Sequence, residues 1–463
     1  MIRTLLMALS LTLALPMMTP AAETSSPQTH CAIPDKVTET ARAWIDQGFG
    51  AGVVMATIDA KGQTCFFKHG VLKVGEVREV NEHTIFEIGS ISKVFTALLL
   101  AQQVESGKLK LDTPVQDLLP TARIPKGSNR AITVQDLATQ MSGLPRLPLN
   151  LNPSDPANPY ADYTESQLWT FLASYSLPRP VGSEYEYSNL GFGLLGQALS
   201  QPAGRSYEAL VQEHLLDPLQ LKDTGINLAR NQWQRFADGH AGRMPVPHWD
   251  LTSLAGAGAL RSSATDMSRF MAAAMGALDT PLATAFALVS KPHVDTGKPA
   301  LMMGLGWHIL QIDGRQLVFH DGGTGGFASF AGFDPLSRQG VVVLANSSNF
   351  PSPALGLHLL NSALPLPQPR KEVKLTHAQM EALIGQYLIE AIGLKVIVTR
   401  EGDKLMAGFV GQGNVELHPE SATHFFLTEV DANLEFLLDA QGKANGLILT
   451  QSGQQFKGER KDP

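Results

Sequence analysis

The chain has 463 residues, enough for two or three domains, and 44% of them are hydrophobic, so a large buried core can form. Only 17% are charged, which argues against intrinsic disorder. The formal net charge is −7 and the sequence has no basic stripe, which argues against nucleic acid and anionic membrane surfaces as partners.

Residues 1–22 have the composition of a secretory signal peptide. Arg3 gives a basic start, an apolar run covers residues 5–15, and small residues stand at positions 21–22. The run is too short for a membrane span. We therefore expect cleavage near residue 22 and a mature protein that is secreted across the inner membrane into the periplasm, with no membrane span.

The sequence has two cysteines, Cys31 and Cys65. In an oxidising compartment they can form one disulfide, but two unpaired buried thiols fit the sequence nearly as well. Neither cysteine lies in a metal-ligand pattern.

The first elements are a helix and two strands. Apolar residues recur at helical spacing from Asp35 to Gln47, which predicts an amphipathic helix. The segments Val53–Ile58 and Thr64–Leu72 are typical of strands joined by a turn.

The stretch Phe86–Gly107 follows, and its centre predicts one helix that begins near Ser90 and ends at Gly107. Apolar residues cover more than one face of this helix, so most of it should be buried. Its first turn, which carries Ser90 and Lys93, is expected to be exposed.

Helices dominate from residue 111 to about residue 275, with N-caps predicted at Thr133, Thr164 and Ser263. Strand signals then return, followed by a helix over residues 353–364. The predicted strands are Leu305–Ile312, Gln316–His320, Gly326–Phe333 and Gly340–Ala345. This order predicts an α+β fold, with one antiparallel sheet formed by both ends of the domain and a helical lobe inserted on one side.

A proline-rich segment, Pro365–Pro369, marks a boundary. We predict a large domain over residues 23–365, a linker over 366–375 and a small β-rich domain over 376–463. The last unit is predicted to start with a helix, Thr376–Tyr387. Its predicted strands are Lys395–Thr399, Lys404–Phe409, Thr423–Leu427, Asn433–Leu438 and Gly446–Gln451.

Ser90 and Lys93 are candidate catalytic residues. At positions i and i+3 of a helix they share a face and can touch. A serine hydroxyl is a weak nucleophile unless a neighbouring base removes its proton, and a partly desolvated lysine can be that base. The pattern alone is weak, because two common residues at this spacing recur by chance about once in a chain of this length.

Two further stretches strengthen the prediction. In Tyr187-Ser-Asn-Leu-Gly, the tyrosine could relay protons and Asn189 could hold a substrate amide, although a surface tyrosine beside a capping asparagine is the simpler interpretation. In His320-Asp-Gly-Gly-Thr-Gly-Gly-Phe, glycines allow a backbone to approach a ligand closely, and a glycine-rich hairpin is the alternative.

In this order, the three stretches resemble the Ser-x-x-Lys, Tyr-x-Asn and Lys-Thr-Gly or His-x-Gly motifs of class C serine β-lactamases and related DD-peptidases. Supporting stretches are Phe86–Thr96, Ser142-Gly-Leu-Pro145 and Gly304-Leu-Gly-Trp307. The resemblance covers roughly residues 37–365, and the C-terminal unit is similar to the small β-rich domain often appended to such hydrolases.

The resemblance implies that Ser90 forms an acyl-enzyme, that Lys93 helps to deprotonate it, and that Tyr187 is the general base and then the acid for the leaving group. Asn189 would hold the acyl-side amide. Further residues implied in substrate binding are His320, Gly322 and Gly323, with the backbone N–H groups of Ser90 and Gly323 as the oxyanion hole.

One position departs from the class C pattern. Where Lys-Thr-Gly is usual, this chain has His320-Asp321-Gly322. An aspartate in the cleft should weaken the binding of ordinary penicillins, and His-x-Gly recurs in peptidase and esterase relatives. Thr324 could supply a replacement hydroxyl, so the distinction between lactamase and peptidase stays open at this point.

Other functions have weaker support. Gly191-Phe-Gly-Leu-Leu-Gly matches a dinucleotide-binding pattern, but no βαβ unit surrounds it, so helix packing is the better interpretation. No His-Glu-x-x-His pair occurs, so zinc chemistry is disfavoured and no cofactor is predicted. His308 is interpreted as a packed strand residue, and Gln140, which stands where relatives often have histidine, is given no role.

Three hypotheses remain. The first is an amidohydrolase acting on a β-lactam or a D-alanyl peptide, with a small molecule or peptidoglycan peptide as substrate. The others are a carboxylesterase using the same residues and a non-catalytic penicillin-binding sensor, which would need a damaged set of catalytic residues. The oligomeric state is not predicted.

Overall fold

The computed structural model describes residues 32–409, 413–428, 432–451 and 454–461. The predicted signal peptide and Cys31 lie outside these ranges. Cys65 is disulfide-bonded, so it is not the unpaired thiol that the sequence left possible. In the part of the chain that is described, no helix combines the length and apolar character needed to cross a membrane.

The first half of the fold is built on an eight-stranded antiparallel sheet. Its N-terminal strand pairs with its last strand in sequence, Val53 opposite Ala345, so the two ends of the domain meet in one sheet as predicted. In spatial order the strands are Thr64–Gly70, Gly52–Ile58, Gln339–Ala345, Ala328–Asp334, Arg315–Gly323, His308–Ile312, Leu301–Met303 and Val294–Asp295.

Both faces of the central strands are buried, which explains their nearly continuous apolar sequence. Val53 and Met55 belong to the core under the Asp35–Trp44 and Ser352–Leu360 helices. Val54, from the opposite face of the strand, belongs to the larger core shared with the helical lobe.

The helical lobe lies between strands Thr64–Gly70 and Val294–Asp295 in the chain. The three predicted N-caps are confirmed, since the hydroxyls of Thr133, Thr164 and Ser263 accept backbone N–H groups of the helices they begin. The α-helices of this region are Ser92–Glu105, Val115–Leu118, Val134–Ala138, Glu165–Ser174, Asn189–Ser200, Tyr207–Val211, Asp217–Leu219, Arg230–Trp233, Ala255–Gly258, Ala264–Ala274 and Ala283–Ser290. Two short antiparallel strand pairs are Ile85–Glu87 with Arg261–Ser263 and Gly239–Ala241 with Met244–Val246.

The C-terminal strands form a closed barrel, so the β-rich domain predicted from the sequence is a β-barrel. The predicted helix Thr376–Tyr387 is partly wrong, because the helix covers only His377–Glu381 and Tyr387 is a core residue of a strand. The barrel strands are Gly385–Ile389, Leu394–Glu401, Lys404–Phe409, Gly413–Pro419, His424–Phe426, Ala432–Leu438, Ala444–Gln451 and Gln454–Arg460.

The barrel contacts the first domain near the end of the sheet. The rings of Phe49 and Phe426 stack with their centroids 5.4 Å apart, and the Asn349 side chain donates to the carbonyl of Thr428. Trp44 Nε1 donates to the carbonyl of Pro367, in the segment that leads to the barrel, at 3.4 Å.

Candidate active site

Ser90 lies in a 3₁₀ turn, Gly89–Ile91, that leads into the Ser92–Glu105 helix. Gly89 has φ +49°, and a Cβ at this position would stand 2.8 Å from the backbone nitrogen of Gly323. Only glycine allows this left-handed geometry together with so close an approach. The turn therefore places Ser90 against the end of the Arg315–Gly323 strand, as the resemblance to class C β-lactamases implied for these two motifs.

Lys93 is completely buried, so the expectation that the whole first turn is exposed is wrong for this residue. Its Nζ lies 2.9 Å from Ser90 Oγ and donates to the carbonyl of Ala257 at 2.7 Å. The Ala255–Gly258 helix supplies this carbonyl and thereby covers the amine. Burial lowers the pKa of Lys93 well below its usual value, and the charge of Arg146 lowers it further. A neutral amine at this place can accept a proton.

Tyr187 completes a group of three around the hydroxyl of Ser90. Its side chain makes a hydrogen bond with Ser90, and its ring centroid lies 4.9 Å from Lys93 Nζ. Burial raises the pKa of Tyr187 strongly, and the hydrogen bond with Ser90 offsets only part of this rise. The phenol is therefore protonated at neutral pH, which makes it a hydrogen-bond donor rather than a ready base.

Gln140 holds the segment that carries Tyr187. Its Oε1 accepts the N–H of Ser188 at 2.8 Å, and its carbonyl accepts the N–H of Glu186 at 2.9 Å. Gln140 is buried and has φ +63°, a backbone conformation that residues other than glycine adopt rarely. No role for Gln140 follows from the sequence alone, because no local motif reveals a contact across 48 residues.

Asn189 begins the Asn189–Ser200 helix, immediately after the capping hydroxyl of Ser188. Its Nδ2 lies 3.4 Å from the hydroxyl of Tyr160. Its Oδ1 is buried and has no hydrogen-bond partner among the described residues. A buried amide oxygen without a partner is costly, so this atom is available to accept an N–H from a ligand.

His320, Gly322 and Gly323 all lie at the end of one strand beside the Ser90 turn. His320 is buried, and its ring centroid is 6.2 Å from that of Tyr187. A Cβ at Gly322 would stand 2.1 Å from the carbonyl oxygen of Ile88, so the two backbones touch here. Gly323 is exposed, and a Cβ there would stand 4.0 Å from its nearest neighbour, the carbonyl oxygen of Phe327, which leaves this face open.

The structure brings two further residues to the site that sequence reasoning missed. The guanidinium of Arg146 lies 5.0 Å from the ring centroid of Tyr187, directly after the Ser142–Pro145 motif in the chain. The ring centroid of His308 lies 6.4 Å from that of Tyr187 and 4.8 Å from that of His320. The interpretation of His308 as only a packed strand residue is therefore incomplete.

Asp321 and Thr324 complete the glycine-rich stretch. The carboxylate of Asp321 is partly exposed and raises the pKa of Lys93, against the larger effect of burial. One ring nitrogen each of His308 and His320 and one carboxylate oxygen of Asp321 lie within 4.8 Å of one another, a set that could hold a metal ion. Thr324 is buried beside the carboxyl of Glu87, whose own pKa is raised to about 7 by burial.

The glycines of Gly191-Phe-Gly-Leu-Leu-Gly196 serve helix packing, as predicted. A Cβ at Gly193 would stand 2.4 Å from Leu254, and one at Gly196 would stand 3.3 Å from the Cα of Gly256. The missing side chains therefore let two helices approach closely, which accounts for these glycines.

Comparison with known proteins identifies the family of this chain. The β-lactamase family model matches residues 41–363, and a domain of unknown function (DUF3471) matches residues 369–461. The D-alanyl-D-alanine-carboxypeptidase/endopeptidase AmpH of Escherichia coli K12 is 28% identical over 316 residues, covering 65% of this chain and 81% of AmpH. A β-lactamase of Pseudomonas fluorescens is 28% identical over 337 residues, covering 65% of this chain and 90% of the relative.

Solved structures share the fold. A class C β-lactamase superposes with a TM-score of 0.63 at 23% identity, covering 72% of this chain and 97% of that one. The class C β-lactamase from Rhodobacter sphaeroides gives a TM-score of 0.58 at 26% identity, covering 68% and 94%. Since the family model covers more than half of the sequence, the chain belongs to the β-lactamase family of serine hydrolases.

Proposed function

We propose that the protein hydrolyses the amide bond of D-alanyl peptides through an acyl-enzyme on Ser90, and that β-lactams acylate the same serine. The observation that carries this proposal is the double contact of the Ser90 hydroxyl. Its Oγ is 2.9 Å from the buried amine of Lys93 and also hydrogen-bonds the side chain of Tyr187. A nucleophile, a base and an acid therefore meet at one atom.

In the acylation step, the neutral amine of Lys93 takes the proton of Ser90 while Oγ attacks the carbonyl carbon. In this mechanism the backbone N–H groups of Ser90 and Gly323 bind the developing oxyanion, usually the largest contribution in acyl transfer. Tyr187 then donates its phenolic proton to the leaving nitrogen and recovers a proton from the Lys93 ammonium. This sequence gives Lys93 the role of base, because the raised pKa of Tyr187 makes the phenol a poor one.

In the deacylation step, water attacks the ester of Ser90 and gives its proton to the Lys93–Tyr187 pair. The acid product leaves and Oγ regains its hydrogen. The speed of this step separates a lactamase from a peptidase that β-lactams merely inhibit.

The side chains around Ser90 support an acyl-amino acid substrate with a free carboxylate. The unpaired Oδ1 of Asn189 can accept the acyl-side amide N–H. The guanidinium of Arg146 is exposed at the rim and forms no ion pair within the described residues, so it can attract a carboxylate. Asp321 opposes a carboxylate bound deeper in the cleft, whereas the His320-Asp321-Gly322 stretch, which has the His-x-Gly form of peptidase relatives, favours a peptidase over a dedicated lactamase.

Intact-mass spectrometry tests this proposal. Wild type and Ser90→Ala are incubated separately with a penicillin and with an acyl-D-Ala-D-Ala peptide. We expect a persistent penicillin adduct and release of D-alanine from the peptide in wild type, and neither in Ser90→Ala. Penicillin turnover without an adduct would identify a lactamase, and reaction of Ser90→Ala at the wild-type rate would overturn the mechanism.

An esterase on the same residues is the second candidate, since His-x-Gly recurs in esterase relatives. Hydrolysis of a short-chain ester, compared with nitrocefin and the peptide on the same enzyme preparation, separates the possibilities. An ester kcat/KM far above that for the peptide would replace the peptidase proposal. The intact set of Ser90, Lys93, Tyr187 and Asn189 gives no support to a non-catalytic sensor.

The place of action remains a prediction from the sequence. Residues 1–22 have the features of a signal peptide, and D-alanyl peptides of the cell wall lie outside the inner membrane, so a periplasmic enzyme would meet its substrate. N-terminal sequencing of the secreted protein tests the cleavage site near residue 22.

A further inference from the structure

Three side chains with metal-binding atoms meet on the wall of the cleft beside Tyr187. His308 begins strand His308–Ile312, and His320 and Asp321 lie on the neighbouring antiparallel strand, where Phe319 pairs with His308. One ring nitrogen of each histidine and a carboxylate oxygen of Asp321 lie within 4.8 Å of one another. These three metal-binding side chains are separate from Ser90, Lys93 and Tyr187, which the proposed hydrolysis uses.

A hydrogen bond fixes which ring nitrogen of His320 is available to a ligand. The Nδ1 of His320 is 2.6 Å from the carbonyl oxygen of Asp321, and since a carbonyl only accepts, Nδ1 carries the hydrogen and Nε2 keeps its lone pair. A histidine that donates one ring N–H to a carbonyl and offers the other nitrogen is the usual arrangement in metal sites.

In His308 one ring nitrogen has a hydrogen-bond partner and the other has none among the described residues. Its Nε2 lies 3.2 Å from the hydroxyl of Tyr185, while its Nδ1 is buried and has no hydrogen-bond partner among the described residues. Buried polar atoms in proteins are almost always paired, so this unpaired ring nitrogen of His308 is free to bind a ligand.

We propose that His308, His320 and Asp321 bind a divalent transition-metal ion of the zinc type. Two imidazoles and one carboxylate suit such an ion and leave at least one coordination position open. Bond lengths of about 2.0–2.2 Å in a tetrahedral zinc site place ligand atoms about 3.3 Å apart, so the three side chains close by roughly 1.5 Å at most to reach it.

The bound ion is expected to inhibit the hydrolase. The rings of both histidines lie within 6.4 Å of the Tyr187 ring, centroid to centroid, so an ion held by them would lie beside the phenol that the proposed mechanism uses. This consequence rests on the proposed function, whereas metal binding itself does not.

Titration calorimetry with ZnCl₂ on the full-length, untagged protein tests the site, and the visible absorption of the Co²⁺ form reports its geometry. We expect one tight site per chain in wild type, weakened at least about tenfold in His308→Gln and in Asp321→Asn. Ser90→Ala should keep full metal affinity. His377→Gln is the matched control, because His377 pairs with Asp403 at 2.8 Å on the barrel and belongs to no three-ligand group among the described residues.

Circular dichroism and the melting temperature confirm that each variant is folded before affinities are compared. The absence of stoichiometric Zn²⁺ binding by wild type would overturn the proposal, as would equal affinity in wild type, His308→Gln and Asp321→Asn. Zn²⁺ binding that leaves hydrolysis unchanged would overturn the inhibitory consequence alone. Loss of hydrolysis in every preparation, with Zn²⁺ binding intact, would instead count against the proposed function.

Discussion

Gln140 connects to both sides of Tyr187, through its Oε1 to the N–H of Ser188 and through its carbonyl to the N–H of Glu186. The position of the phenol relative to Ser90 therefore depends on a residue outside the group of Ser90, Lys93 and Tyr187. Gln140 is a positioning residue in this site.

Replacing Gln140 with leucine should lower kcat by up to about 100-fold with a smaller change in KM, because displacement of a catalytic group by about 1 Å can cost this much. Steady-state kinetics on wild type and Gln140→Leu measure the effect. Gln140→His, which keeps a ring acceptor, should recover part of the loss.

The control for this variant is Gln116→Leu, which removes comparable hydrogen bonds to the backbone of residues 119–124 in another part of the lobe. It should lower stability without lowering kcat. Equal losses of kcat in the two leucine variants would show that Gln140 has only a structural role.

Tyr187→Phe should keep the fold and lower kcat by about 10²–10⁴-fold, the range expected for loss of a general acid. The ring and its burial are retained and only the hydroxyl that contacts Ser90 is lost. Tyr207→Phe removes a different buried hydroxyl, which lies 2.7 Å from Thr96 Oγ1, and should leave kcat unchanged. A Tyr187→Phe enzyme with wild-type kcat would exclude this phenol from proton transfer.

Lys93 should make stability depend on pH. Its folded pKa lies well below 10.5, so in the window between the two values the unfolded chain binds more protons and stability rises with pH. Each pKa unit of difference corresponds to about 1.4 kcal/mol. Lys93→Met should remove this slope in urea unfolding experiments and also abolish acylation. An unchanged slope in Lys93→Met would show that the amine is not held neutral.

Glu87 should make stability fall as pH rises, which is the opposite of the effect expected for Lys93. Burial raises its pKa from 4.5 to about 7, so the native state binds the proton more tightly and stability falls as pH rises through this window, by roughly 3 kcal/mol at most. In urea unfolding at about pH 5 and pH 8, Glu87→Gln should lose this dependence. Glu82→Gln is the control, because the pKa of Glu82 is lowered and its pairing with Lys68 is lost only as pH falls. The same slope in wild type and Glu87→Gln would contradict the assignment.

Asp321→Thr should accelerate acylation by anionic penicillins by about tenfold, since one unfavourable charge contact of about 1.4 kcal/mol is removed. Asp321→Asn tests the charge without the shape change. A neutral short-chain ester serves as the control substrate and should react at the wild-type rate. If ester and penicillin rates rise equally, the carboxylate of Asp321 does not discriminate against anions.

The part of the site that could be predicted from the sequence is the part encoded locally or by motif. Ser90 and Lys93 stand one helical turn apart, so their contact follows from spacing alone. The proximity of Tyr187 and Gly323 to Ser90 required resemblance to a known family, because no periodicity links segments so far apart in the chain. Burial of Lys93 depends on the Ala255–Gly258 helix, and no residue near Lys93 in the sequence predicts that this distant helix covers it.

The fold was predicted to a similar depth. Pairing of the first strand with the last followed from strand signals at both ends of the domain, and Val53 opposite Ala345 confirms it. Closure of the C-terminal barrel could not be predicted from the sequence. It depends on pairing between the first and last barrel strands, Tyr387 opposite Arg460, and no local pattern shows which distant strands will pair. The proximity of His308 and His320 could not be predicted for the same reason, because it depends on the register of two neighbouring strands.

The contact between Gly89 and Gly323 restricts how this enzyme can be engineered or can evolve. Any larger residue at position 89 would collide with the Gly323 backbone and would also need a left-handed conformation. A saturation library at codon 89 should therefore yield almost no active clones apart from the parental residue. Changes of substrate range are instead expected at more exposed positions such as Arg146 and Asp321.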